Sequence, residues 1–116
     1  MSDGSEKKYA STVTDDTISE VVRRILQVCV PQRVILFGSA ATGQMTPDSD
    51  IDLLVLDRNV MDAREEAVRI RRALSGIPFP FDVVVMRPER FEETRGVIGG
   101  IAWPADRHGR VIYEAA

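Results

Sequence analysis

Four side chains and one glycine have the types and spacing for phosphate chemistry. Asp50 and Asp52 stand two residues apart where the apolar run Ile51 to Leu56 begins. Asp82 stands one residue into a second run, FDVVVM, and Gly38-Ser39 closes a third, RVILF. Alternation along a strand puts Asp50 and Asp52 on one face. Two unit charges about 4 Å apart near a protein surface interact by about 4 kcal/mol, so paired carboxylates either spread into solvent or gather a cation. Leu53-Leu54-Val55-Leu56 follows at once, which draws Asp52 toward a core rather than onto a tip. Three carboxylates at strand starts can converge. An all-oxygen set of this kind suits Mg²⁺ or Mn²⁺, with phosphates completing the octahedron. Gly38 lets the backbone come close to a phosphate, the amides of a following helical turn point toward anions, and the Ser39 hydroxyl adds a neutral donor.

Two rival motifs fail at particular positions. Gly38 and Gly43 have P-loop spacing, but Gln44 and Met45 stand where Lys and Ser/Thr are required. Asp48, Asp50 and Asp52 begin like a calcium loop, which then has Leu53 for the turn glycine and Asn59 for the closing Glu. Taken singly, Asp82 reads equally well as a loop cap, and Asp48 and Ser49 as turn residues.

These residues need strands to hold them. Residues 1–14 have no periodicity and read as a flexible tail, with a single domain over residues 15–116. Thr17-Ile18-Ser19-Glu20 matches a capping box, and Ile18, Val21, Val22, Ile25 and Cys29 recur at helical spacing. Pro31 is the expected stop. Arg33 to Phe37 reads as a strand, Gly38 to Ser49 as a loop with a helical turn after Ser39, and Ile51 to Leu56 as a strand covered on both faces. A basic helix is expected from Val60 to Leu74, with Ala63, Ala67, Ile70 and Leu74 inward and Glu65 paired to Arg69. A strand follows from Phe81 to Met86, then a helix from Pro88 to about Arg95. The stretch Gly96 to Trp103 is ambiguous, Pro104 to His108 reads as a helical turn stopped by Gly109, and RVIYE as an edge strand. The order α-β-β-α-β-α-β predicts an α/β (α+β) domain with a small mixed sheet flanked by helices.

With 116 residues, 44% hydrophobic and 28% charged, the chain has the makings of one modest core. Its net charge of −3 argues against coating a nucleic-acid backbone, which takes a basic footprint. The single cysteine, Cys29, makes an internal disulfide impossible and reads as a reduced core thiol. No apolar run approaches the roughly 20 residues of a membrane span, and MSDGSEKKYASTVT lacks a signal-peptide core, so a cytoplasmic location is expected. His108 and Trp103 read as packing or surface residues without a catalytic role.

FGSAATGQMTPDSDIDLLVL resembles the signature of the polymerase-β-like nucleotidyltransferase superfamily: Gly-Ser, a short spacer, then Asp-x-Asp entering an apolar strand. Together with FDVVVM and the terminal GRVIYE, it is similar to the minimal nucleotidyltransferases, antitoxins commonly paired with a HEPN-domain toxin. The resemblance spans roughly Thr17 to Glu114. It implies that Gly38 and Ser39 hold nucleotide phosphates, that Asp50 and Asp52 bind metals, and that Asp82 completes the metal site and helps activate the attacking hydroxyl. It implies ATP as substrate, Mg²⁺ (or Mn²⁺) as cofactor, and a tyrosine of the HEPN toxin as acceptor, silenced by adenylylation. One departure stands out. Many relatives carry Arg-Ala-Arg after the Gly-Ser, and this chain has Ala40-Ala41-Thr42. That departure favours a second reading, an antitoxin that neutralises by binding with little or no catalysis. Transfer to a small molecule such as an aminoglycoside is a third, for which relatives use a further domain; a nucleic-acid polymerase fits less well still.

Overall fold

The computed structural model describes residues 13–42, 49–97, 100 and 102–115. Gly43, Gln44, Met45, Pro47 and Asp48, and the tail through residue 12, lie outside the described residues.

Helix α1 spans Asp15–Ile25. Its cap is Thr14, whose Oγ1 accepts from the Thr17 amide at 3.2 Å, so the expected capping box at Thr17 sits one turn too late. Asp15 and Asp16 then occupy the first turn, where carboxylates favour the helix dipole. Glu20 turns away from the cap and bonds Arg23 and Arg24, which hold its carboxyl down at about 2. Pro31 does not end this helix. The helix closes five residues earlier at Leu26, whose backbone N–H donates to the carbonyls of Val22 and Arg24.

Strand β1 (Arg33–Phe37) leads into a single turn, α2 (Ser39–Thr42), and the chain returns as β2 (Ile51–Leu56). Helix α3 (Ala63–Ala73) crosses to β3 (Phe81–Met86), followed by α4 (Pro88–Thr94), α5 (Ala102–His108) and β4 (Arg110–Glu114). Sheet order is β3-β2-β1-β4, with β2 and β3 parallel and the other pairs antiparallel. The small mixed sheet with flanking helices is as expected. Asp62 caps α3 by accepting from the Glu65 amide, so that helix starts three residues later than Val60. The ambiguous stretch resolves in part: α5 begins at Ala102, before Pro104.

Alternation on the strands sorts the core into two layers. Ile51, Leu53 and Val55 of β2 and Val83 and Val85 of β3 pack with Ile18, Val21 and Ile25 of α1 and with Ile70. The opposite face joins Ile35, Leu54 and Leu56 to Phe91 of α4 and Ala102 and Ala105 of α5. β2 is therefore buried on both faces from Leu53 onward, as the apolar run Leu53–Leu56 leads one to expect. Phe91 is the one large side chain that α4 drives into the second layer, and it is 1% exposed. Phe91→Ala should cost about 3–5 kcal/mol, the range for emptying a buried aromatic site; urea unfolding measures it. Arg24 ties α1 to the end of α3, donating to the carbonyls of Ser75 at 2.6 Å and Ala73 at 3.3 Å.

Candidate active site

The register of the sheet brings two of the candidate carboxylates side by side. Asp52 is opposite Asp82 across the parallel β2–β3 pair, and opposite Phe37 across β1–β2. Both aspartates fall on the face of Leu54, which packs with Phe91, at the end where β2 and β3 begin. Asp52 is half-buried and Asp82 exposed. Asp50, just before β2, is exposed as well.

Gly38 completes the arrangement. The chain leaves β1 with Gly38 at φ 73°, a left-handed conformation that costs a glycine nothing. The turn folds it against Asp52: a Cβ placed there would lie 2.2 Å from Asp52 Oδ2 and 3.2 Å from its Cγ. The Ala41 amide donates to the Gly38 carbonyl at 3.1 Å and starts the α2 turn. Ser39, half-buried, is the first residue of α2. Burial raises the pKa of Asp52 above its ordinary value, and the charges of Asp82 and then Asp50 raise it further. The structure thus gathers a half-buried carboxylate, two exposed ones within its electrostatic reach, and a close-packed glycine turn. A site with this excess of negative charge gains from a bound cation.

The spacing is open. Among the described residues, the one trio of Cys, His, Asp or Glu whose ligand atoms all lie within 4.8 Å of one another is Cys29, Asp57 and Glu66. This trio sits at the opposite end of β2 and on its other face. Sequence reasoning placed Cys29 in a core; only the packing of α3 onto the sheet brings Glu66 to it. Each member already has a local bond. Asp57 Oδ1 accepts from the Asn59 amide at 3.0 Å, Glu66 pairs with Arg69, and Cys29 Sγ contacts the Ile25 carbonyl at 3.7 Å. Arg69 therefore takes Glu66 as its partner instead of the expected Glu65. Burial, with the charges of Glu66 and Asp57, pushes the Cys29 thiol up to about 12. The thiolate is the nucleophile, so Cys29 should react with iodoacetamide at pH 8 at least about a hundredfold more slowly in the folded chain than in urea; mass spectrometry of timed samples reads the difference.

Residues 15–101 match the family model of the nucleotidyltransferase domain. The chain belongs to that family. The nucleotidyltransferase domain also has a solved structural neighbour, described as a crystal structure of the toxin-antitoxin with AMP-PNP. The two share 20% sequence identity at a TM-score of 0.63, over 84% of this chain and 73% of that one, a likeness of fold. A search of curated proteins finds no match. No helix of the described residues is long and apolar enough to cross a membrane.

Proposed function

We propose that this nucleotidyltransferase domain transfers AMP from ATP to a protein hydroxyl, a tyrosine of a HEPN toxin, and so acts as an antitoxin in the cytoplasm. The observation that carries this reading is the pairing of Asp52 with Asp82 in register, with Gly38 folded against the Asp52 carboxylate. Asp50, Asp52 and Asp82 are the proposed metal ligands. Burial raises the Asp52 pKa and the charges of Asp82 and Asp50 raise it further; a divalent cation would relieve that excess of negative charge, and all-oxygen ligation fits Mg²⁺ or Mn²⁺. When bound, such ions neutralise phosphate charge and sharpen the attacking hydroxyl. Asp82, exposed beside Asp52, is the residue proposed to help activate the incoming hydroxyl. Gly38 offers backbone without a side chain, and Ser39 a hydroxyl, to the triphosphate. The family match and the neighbour solved with AMP-PNP support a nucleotide as the substrate.

The experiment is to incubate the domain, its partner protein, ATP and Mg²⁺, then look by mass spectrometry for an added AMP. Asp50→Asn or Asp52→Asn variants as active as the parent would overturn the site.

The second reading, neutralisation by binding alone, draws on α2, whose Ser39-Ala40-Ala41-Thr42 supplies no cation for phosphate. Neutralisation that persists without ATP in the same Asp variants would favour it.

A further inference from the structure

The sheet has two edges, and they differ. At β4 the outer strand carries Arg110 and Glu114 at its ends, paired to Asp15 and Arg33, and its register against β1 slips between Val34 and Ile35. Charges and irregularities of this kind are how proteins blunt an edge against stray pairing. At β3 neither device is present. Its six residues run in unbroken register with β2, and its only charge is Asp82, in the candidate active site. Among the described residues β3 pairs with β2 alone, so alternate backbone N–H and C=O groups face outward.

The surface beside this edge is also built for contact. A groove runs between α3 and β3, floored by Ala67, Val68, Val83 and Val85, with Arg64 and Arg71 on its rim. It continues to Met61, 93% exposed, next to Val85 and Met86. Both rim arginines are exposed and form no ion pair among the described residues. Seven residues of helix separate them, a rise of about 10.5 Å, while residues four apart on one face of a strand are about 13–14 Å apart. Two carboxylates so spaced on an added strand reach both guanidiniums, with one apolar side chain between them over the groove floor.

We infer that the β3 edge docks an extended acidic segment of a partner protein by strand addition, its backbone pairing with β3 and its carboxylates meeting Arg64 and Arg71. A second copy of this chain fits worse, because two-fold pairing of β3 with itself would bring the arginines of both copies together. The docked strand would run alongside the strand that carries Asp82. The docking itself needs neither nucleotide nor metal and does not rest on the transfer reading.

The test uses the full chain and a fluorescein-labelled peptide, Thr-Glu-Thr-Val-Thr-Glu-Thr, followed by fluorescence anisotropy in EDTA. Saturable binding is expected. It should weaken at least about tenfold in the Arg64→Glu/Arg71→Glu double variant, with the peptide whose Glu are replaced by Lys, and with a peptide N-methylated on alternate amides. Far-UV circular dichroism checks that the double variant is folded. No saturation up to about 1 mM peptide would overturn the proposal. So would binding indifferent to the charge reversal or to N-methylation, or sedimentation velocity showing a dimer of the chain alone that is lost on adding peptide.

Discussion

Asp52→Asn should lower the rate of AMP transfer by about 10³-fold or more, with the fold intact. A factor of 10³ corresponds to about 4 kcal/mol of barrier, the order that removing one preorganised electrostatic partner of a transition state costs. The substitution keeps the shape of the side chain against Gly38 and removes only its charge, so the loss reads charge rather than packing. Stability should move the other way. The folded state raises the Asp52 pKa, through burial and the neighbouring Asp82 and Asp50. Between the ordinary Asp value and that raised value the folded chain holds more proton than the unfolded one, so stability is lost as pH rises through this window. Asn has no such loss. In EDTA, urea unfolding should find the two proteins matched near about pH 3 and Asp52→Asn the more stable near about pH 7. Mg²⁺ should stabilise the parent at the higher pH more than it stabilises the variant. Equal transfer rates, or a variant less stable at the higher pH, would count against the electrostatic account of the site.

Gly38→Val should damage both stability and transfer, for two separable reasons. A φ of 73° costs an L-residue about 1–2 kcal/mol, and the new Cβ would fall 2.2 Å from Asp52 Oδ2, so the carboxylate must shift. A loss of about 2 kcal/mol or more is expected, a fall in Tm of about 8 °C or more for a domain of this size. Transfer should drop to the level of Asp52→Asn. Gly76→Ala is the control. Its φ of 99° is also left-handed, but an added Cβ there would meet Arg24 Nη1 at 3.6 Å, an ordinary contact, and no carboxylate. It should lose stability from backbone strain alone and keep its transfer rate. Activity retained in Gly38→Val would show that the turn does not position Asp52.

Much of this was legible in one dimension, because it depends on neighbours along the chain. The apolar run Leu53–Leu56, entered through Ile51 and Asp52, reads as a strand covered on both faces, and β2 lies inside the sheet between β3 and β1. Alternation assigns Asp52 to the face of Leu54 and Leu56. Gly-Ser, the spacer and Asp-x-Asp carry the family, and residues 15–101 match its model. Short-range competition defeated other expectations. Thr14 and Thr17 both begin a plausible cap, and Glu20 had two arginines within one turn as alternative partners. Glu65 and Glu66 are both within reach of Arg69, and the buried Glu66, facing the sheet, is the one that pairs.

The sequence by itself determined which residues are candidates for chemistry and where they fall along the strands: Gly38-Ser39 after β1, Asp50 and Asp52 where β2 begins and Asp82 where β3 begins, in an α/β order of elements. Only the tertiary structure decided how they meet. Parallel pairing of β2 with β3 is a contact between segments some 30 residues apart, and a slip of one residue would send Asp82 to the opposite face. The same packing decided that Gly38 closes on Asp52 and that β3 is left as an unguarded edge. Local pattern names the candidate ligands; register places Asp52 beside Asp82.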